Sequence, residues 1–227
     1  MRLEASEHWD VIVVGGGPAG SSAAMAAAGA GARVLVVDRR EAIGSPVQCA
    51  EFLVRKVVLD LKLPPEAIAQ NVERTRTFLL GEEASVRRNP GCILNRDVAD
   101  AVLWDRASDA GAEAWSSTRV TGIDVDAGDG SYGVTMRRDG EEVRADATVL
   151  VGADGPRSTV GAALGISNHK MVVANQVTVP LSEPSEDTEV YLDPSFAGGY
   201  AWLFPKGEVA NLGVGVDVSL GASPMRA

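Results

Sequence analysis

With 227 residues, 45% of them hydrophobic, the chain is long enough to bury one large core or two smaller ones. A formal charge of −10 gives it a surface that repels polyphosphates, which argues against nucleic acid as a partner. Two cysteines without a CxxC and two histidines without an HxxxH argue against a disulfide framework and a metal site, and they fit a reducing, cytoplasmic setting.

The first residues, Met1–Glu7, carry acids where a secretion signal needs bases. Residues 11–37 are poor in charge, yet the run is dominated by Gly, Ala and Ser and contains Pro18 and Arg33. It reads as two buried strands, Asp10–Val14 and Arg33–Val37, around a small-residue helix, Pro18–Ala28, which together form a βαβ unit. A loop with Gly44 and Pro46 leads to a helix expected near Glu51–Leu61. After Pro64-Pro65, Glu66–Gln70 reads as a further helical turn. Arg76–Leu80 and Ser85–Arg88 read as short strands around Gly81, and Asp97–Asp109 as an amphipathic helix ended by Gly111. Thr118–Val125 is strand-like. Tyr132–Arg137 and Glu142–Ala147 form a hairpin about Asp139-Gly140, and Thr148–Val151 is another buried strand. From residue 168 the chain is β-rich, with strands at Val172–Val179, Thr188–Leu192, Tyr200–Phe204 and Val209–Val216. The expected class is α/β. A nucleotide-binding domain covers 1–167, and an antiparallel β domain starts over 168–227. The segment 76–94 fits either domain.

Gly15-Gly16-Gly17-Pro18-Ala19-Gly20 supplies G-x-G-x-x-G between the first strand and the helix, the context in which that motif has meaning. Gly15 permits the tight turn, Gly17 lets backbone approach a pyrophosphate, and Gly20 lets helix and strand pack closely. The helix N-terminus offers free N–H groups and about half a positive charge to phosphate. Asp38 closes the second strand, where a carboxylate accepts ribose hydroxyls. A second Gly-rich turn, Gly152-Ala153-Asp154-Gly155-Pro156-Arg157-Ser158, follows a later strand. It resembles the second fingerprint of the flavoprotein hydroxylase and reductase superfamily, with Asp154 and Gly155 near an FAD diphosphate.

Three further segments resemble the geranylgeranyl reductase family of FAD-dependent oxidoreductases. Glu41-Ala42-Ile43-Gly44-Ser45-Pro46-Val47-Gln48-Cys49-Ala50-Glu51 looks like its E-x-G-x-P-x-x-C loop, and Asn95-Arg96-Asp97 like its FAD-contacting arginine. Tyr200-Ala201-Trp202-Leu203-Phe204-Pro205 with Gly213-Val214-Gly215 looks like its Y-x-W-x-F-P…G-x-G motif. The resemblance implies a Rossmann-like FAD-binding domain of the glutathione-reductase-2 type joined to a substrate domain. It also implies FAD contacts at Ala19, Asp38, Cys49, Ala50, Phe52, Arg96 and Val120, although Phe52 stands where relatives often carry glycine. The implied reaction is reduction of C=C bonds in a polyprenyl lipid, with reduced FAD as hydride source, in the cytoplasm or peripherally at a membrane. The electron donor is not named by the sequence.

An isoprenoid double bond has no electron-withdrawing neighbour, so protonation has to lead or accompany hydride transfer. Cys49 is the candidate for proton delivery or for positioning near the flavin, against a plain reading as a small packed thiol. Tyr200, Trp202 and Phe204 alternate along a strand and so face one way. They form an aromatic wall for a prenyl chain, with Gly213 and Gly215 beside it, or a well-packed core strand. Relatives carry a third fingerprint, a Gly-Asp turn leading into a helix, beyond Gly215. The close of this chain, Gly221–Ala227, reads as cut before such a helix. The chain is then a fragment, one completed by a second polypeptide, or a non-catalytic subunit. A flavin monooxygenase or halogenase is the alternative enzyme.

Overall fold

The computed structural model describes residues 7–127 and 130–222, and its elements follow the apolar runs of the chain. Residues 1–6 and the closing tail from 223, both weighed in the sequence, lie outside the described residues. In chain order the elements are β1 (Glu7–Val14), α1 (Pro18–Gly29), β2 (Val34–Val37), β3 (Phe52–Val54), α2 (Arg55–Leu61), β4 (Ile68–Leu79), β5 (Glu82–Leu94) and α3 (Arg96–Asp109). There follow β6 (Glu113–Trp115), β7 (Arg119–Asp124), β8 (Tyr132–Arg138), β9 (Glu141–Gly152), α4 (Thr159–Ala163), β10 (Val172–Pro180), β11 (Asp187–Leu192), β12 (Tyr200–Lys206) and β13 (Val209–Asp217).

Two compact units result, one holding the chain up to Pro46 with Asp100–Asn168, the other Val47–Ala99 with the chain from His169. Strand pairing is the cause of this division. β11 lies parallel to β4, with Asp187 opposite Arg74, so 47–99 clusters with the C-terminal strands rather than with 1–46.

The first unit is a six-stranded sheet in the order β6-β2-β1-β9-β8-β7. β6, β2, β1 and β9 run parallel, and β8 and β7 extend the sheet antiparallel. Parallel strands are covered on both faces, which is why β1 and β2 read as continuous apolar runs. Ile12, Val14, Leu35 and Val37 pack on one face with Val134 and Met136. Val13, Val34 and Val36 pack on the other with Ala24 and Ala28 of α1 and Ala107 of α3. Each such Val, Leu, Ile or Met side chain, fully removed from water, contributes about 1.5–3 kcal/mol. The expected strand Thr148–Val151 is no separate element: β9 runs unbroken from the hairpin, because nothing between Glu141 and Gly152 interrupts extended backbone.

The second unit is a seven-stranded sheet, β10-β13-β12-β11-β4-β5-β3. Three expectations change here. Glu51–Leu61 opens as strand β3 and turns helical only at Arg55. Residues 66–70 carry a 3-10 turn, Pro65–Ala67, that passes straight into β4. The short strands around Gly81 are one long hairpin, turned by Leu80 and Gly81, both at positive φ. Its outward residues are charged, so the strands lack the apolar alternation that would reveal them. Opposite charges meet across them instead: Arg74 with Asp187 at 2.8 Å, and Arg76 with Glu83 at 2.7 Å and Glu189 at 3.0 Å.

On the same face Tyr191 stacks on Phe78, centroids 4.9 Å apart, and donates its hydroxyl to Glu189. Burial and then the Glu189 carboxylate push the Tyr191 phenol up to about 12. Its folded pKa lies above its unfolded one, so the folded state binds the extra proton, and stability falls as pH rises from 10 to about 12. Absorbance titration of phenolate should show one tyrosine still protonated above pH 11, and Glu189→Gln should bring it down.

Candidate functional site

Candidate residues fall in each of the two units. In the first, the loop Gly15–Gly17 joins β1 to α1. Gly15 sits at φ +106, and a Cβ there would lie 2.2 Å from the Ala153 carbonyl oxygen. A Cβ at Gly20 would lie 1.7 Å from the Gly15 carbonyl oxygen. These two glycines are therefore demanded by the protein's own packing. Gly16 is too, because the Trp104 ring of α3 would lie 2.4 Å from its Cβ, a constraint the motif does not announce.

Gly17 differs: a Cβ there would meet nothing within 4 Å. It caps α1 with no side-chain acceptor, and no acid stands in the first turn. Open space before uncapped, electropositive N–H groups is what a diphosphate requires, and the residues present fit FAD on this count.

Asp38 accepts the Gly16 N–H at 2.7 Å through Oδ2 and the Arg40 N–H at 2.8 Å through Oδ1. A carboxylate has about four acceptor directions, so two remain for ribose hydroxyls. Asp154 is turned inward on its own helix, where it accepts from the Ser158 hydroxyl and the Thr159 N–H at the start of α4. Gly155, at φ +85, makes that turn possible. Val120 is buried in the core. Ala19 lies exposed in the first turn of α1.

In the second unit the 49–51 loop lies over the face of β10, β13 and β12. Cys49 Sγ accepts two hydrogen bonds, from Arg96 Nη1 at 3.0 Å and from the Glu51 N–H at 3.3 Å. Glu51 is buried, 3% exposed, at φ +71. Its Oε2 accepts from Lys206 Nζ and from Asn211 Nδ2, both at 2.7 Å, and its Oε1 from the Arg96 N–H at 3.2 Å. That last bond sets a carboxylate at the N-terminus of α3. Gln176 Nε2 donates to the Cys49 carbonyl at 3.2 Å, while its Oε1 accepts from the Trp202 indole at 3.0 Å.

The aromatic motif is placed as its alternation requires, with ring centroids 5.9 Å apart for Tyr200 and Trp202, and 6.4 Å for Trp202 and Phe204. Trp202 and Phe204 are buried with Val72 and Ile93, and Ala50 and Phe52 pack against that cluster. Tyr200 stays open, 46% exposed. The glycines opposite make room: a Cβ at Gly213 would lie 2.2 Å from the Trp202 ring, and one at Gly215 2.9 Å from Val172.

Sequence reading missed Trp104, Gln176, Lys206 and Asn211 and gave Glu51 no part. Trp104 meets Gly16 from α3, and Gln176, Lys206 and Asn211 reach the 49–51 loop across as many as 161 residues, which leaves no local pattern. Among the described residues, no group of three or more His, Cys, Asp or Glu could hold a metal ion, and no helix is long and apolar enough to cross a membrane.

Residues 54–201 match a family described as FAD binding domain, and residues 13–78 an NAD(P)-binding Rossmann-like domain. The digeranylgeranylglycerophospholipid reductase of Methanocella arvoryzae is 36% identical over 93% of this chain and 57% of its own length. A reductase of the same name from Methanopyrus kandleri is 35% identical over 92% of this chain and 58% of its own length. The chain thus spans well under two thirds of these relatives. The crystal structure of a geranylgeranyl bacteriochlorophyll reductase-like protein from Thermoplasma acidophilum superposes with a TM-score of 0.86 at 32% identity, over 95% of this chain and 58% of that one. A flavin-dependent halogenase, CmlS, gives 0.75 at 20% identity, over 97% of this chain and 43% of that one. At that identity the likeness is one of fold.

Proposed function

The chain belongs to the family described as FAD binding domain, and from that premise, with its likeness to digeranylgeranylglycerophospholipid reductases, we propose that it serves the FAD-dependent reduction of C=C bonds in the polyprenyl chain of a lipid. The observation that carries this reading is the Cys49 sulfur, held in a half-buried loop by two N–H donors.

Reduced FAD, when bound, supplies a hydride. Gly17 and the first turn of α1 would hold its diphosphate, and Asp38 its ribose. By the family resemblance the 49–51 loop would lie beside the flavin. A proton must reach one alkene carbon as the hydride reaches the other, with positive charge developing at the tertiary carbon. Cys49 Sγ delivers that proton. Both accepted hydrogen bonds use sulfur lone pairs, so the S–H is left to point away from Arg96 and Glu51. When the proton leaves, the Arg96 guanidinium already faces the sulfur and no rearrangement is needed. Water then returns the proton to sulfur.

The aromatic stripe offers the prenyl chain Tyr200, its exposed end, while Trp202 and Phe204 brace the strand from within. A prenyl lipid resides in a bilayer, so the reaction brings the protein to a membrane surface as a peripheral visitor.

Cys49→Ser and Cys49→Ala are expected to retain the flavin absorbance and to lose about 10²- to 10⁴-fold in prenyl saturation, measured by mass spectrometry of the lipid. Full turnover in either variant would remove Cys49 from the mechanism.

A further inference from the structure

We propose that Glu51 is a positioning residue for Cys49: with Lys206, Asn211 and Gln176 it clamps the thiol loop onto the sheet. The inference rests on the reading of Cys49 given above. Three strands contribute one polar side chain each to the clamp, Gln176 from β10, Lys206 from β12 and Asn211 from β13. Lys206 and Asn211 converge on one carboxylate oxygen at 2.7 Å, and Gln176 takes the Cys49 carbonyl at 3.2 Å. The other carboxylate oxygen holds the backbone of Arg96, whose guanidinium reaches the sulfur at 3.0 Å. Glu51 thereby acts on the thiol twice, through its own N–H and through Arg96.

The backbone supports this. A non-glycine residue at φ +71 is held in a sparsely populated region, and such a conformation persists only where surrounding bonds over-determine it. Charge supports it as well. A carboxylate 3% exposed needs a partner, and the Lys206 ammonium, on a side chain 23% exposed, balances it while reaching toward water. The indole N–H of Trp202 fixes Gln176 from behind, which ties the aromatic motif to the loop it faces.

The two cysteines provide the test. Cys49 lies in the clamped loop, whereas Cys92 is buried in a separate cluster with Val58 and Leu94. Both are followed by iodoacetamide labelling and mass spectrometry of the intact protein. Glu51→Gln is expected to speed labelling of Cys49 about tenfold or more, the scale set by losing charged hydrogen bonds, while Cys92 stays protected. Asn211→Ala, which keeps the ion pair, should give the same selective change to a smaller extent, about threefold. Equal acceleration at both cysteines, or at neither, overturns the clamp.

A second readout separates positioning from general stability. Glu51→Gln should lower kcat for prenyl reduction at unchanged KM, yet it should cost nothing further in a Cys49→Ser background. A further loss there would show that Glu51 acts by another route. A parent protein that reduces no prenyl chain would reject the proposed function while leaving the labelling result to judge the clamp.

Discussion

Gly17→Ala is expected to leave the fold intact and to cost the protein its flavin. The added methyl meets no protein atom within 4 Å, and φ at Gly17 is −71°, an ordinary value for alanine. Stability should change by no more than about 1 kcal/mol, the difference between glycine and alanine as a helix cap. On the proposed function, the methyl would stand where the FAD diphosphate approaches backbone. Crowding of about 1–3 kcal/mol translates into roughly 5- to 150-fold weaker FAD binding. Gly20→Ala is the contrast, since its methyl would stand 1.7 Å from a carbonyl oxygen, and the β1–α1 contact must part to admit it. That variant should lose several kcal/mol, on the scale of severe overpacking. Thermal melts and flavin absorbance distinguish the two, and equal destabilisation by both would refute the division of labour between these glycines.

Lys206→Met is expected to be the most destabilising change at the second unit, about 3–5 kcal/mol in urea denaturation at pH 7. It strands the Glu51 carboxylate, 3% exposed, with only the Asn211 amide and one backbone N–H. Glu51→Gln is the milder change. It keeps an acceptor in place, and it frees a lysine whose side chain, 23% exposed, turns to water. A loss of about 1–2 kcal/mol is expected there. The asymmetry follows from which partner is deeper, and a larger loss for Glu51→Gln than for Lys206→Met would contradict it.

The first β-strand, the small-residue helix and the second strand were legible because two local signals coincide. Apolar runs are bounded by glycines whose spacing marks a tight strand-to-helix turn of the phosphate-binding kind. α3 was legible from its period. The β4–β5 hairpin was underestimated because its outward side chains are Arg and Glu, whose cross-strand pairing stabilises a sheet without apolar alternation. The site was legible in parts only. Cys49 and Arg96 stood out by motif, but the 3.0 Å contact between them depends on Glu51, whose partners lie 155 and 160 residues away. Asp154 was legible as a turn residue, and its service to Ser158 and Thr159 is a matter of helix capping that only geometry reveals. The aromatic stripe was legible as one face, while the depth at which Trp202 and Phe204 lie depended on β5 and β3 closing over them.

The fit of Trp202 over Gly213 has an evolutionary consequence. The indole occupies volume that any side chain at 213 would need, so the residues tolerated at the two positions are coupled. A lineage that gained a side chain at 213 first would lose the ring's seat, and with it the indole N–H that steadies Gln176. One that shrank Trp202 first would remove the ring, yet a Cβ at 213 would still stand 2.9 Å from the Asn175 carbonyl oxygen of β10. Loss of the tryptophan would therefore relieve only one of the two constraints on position 213, and the glycine is expected to outlast the ring.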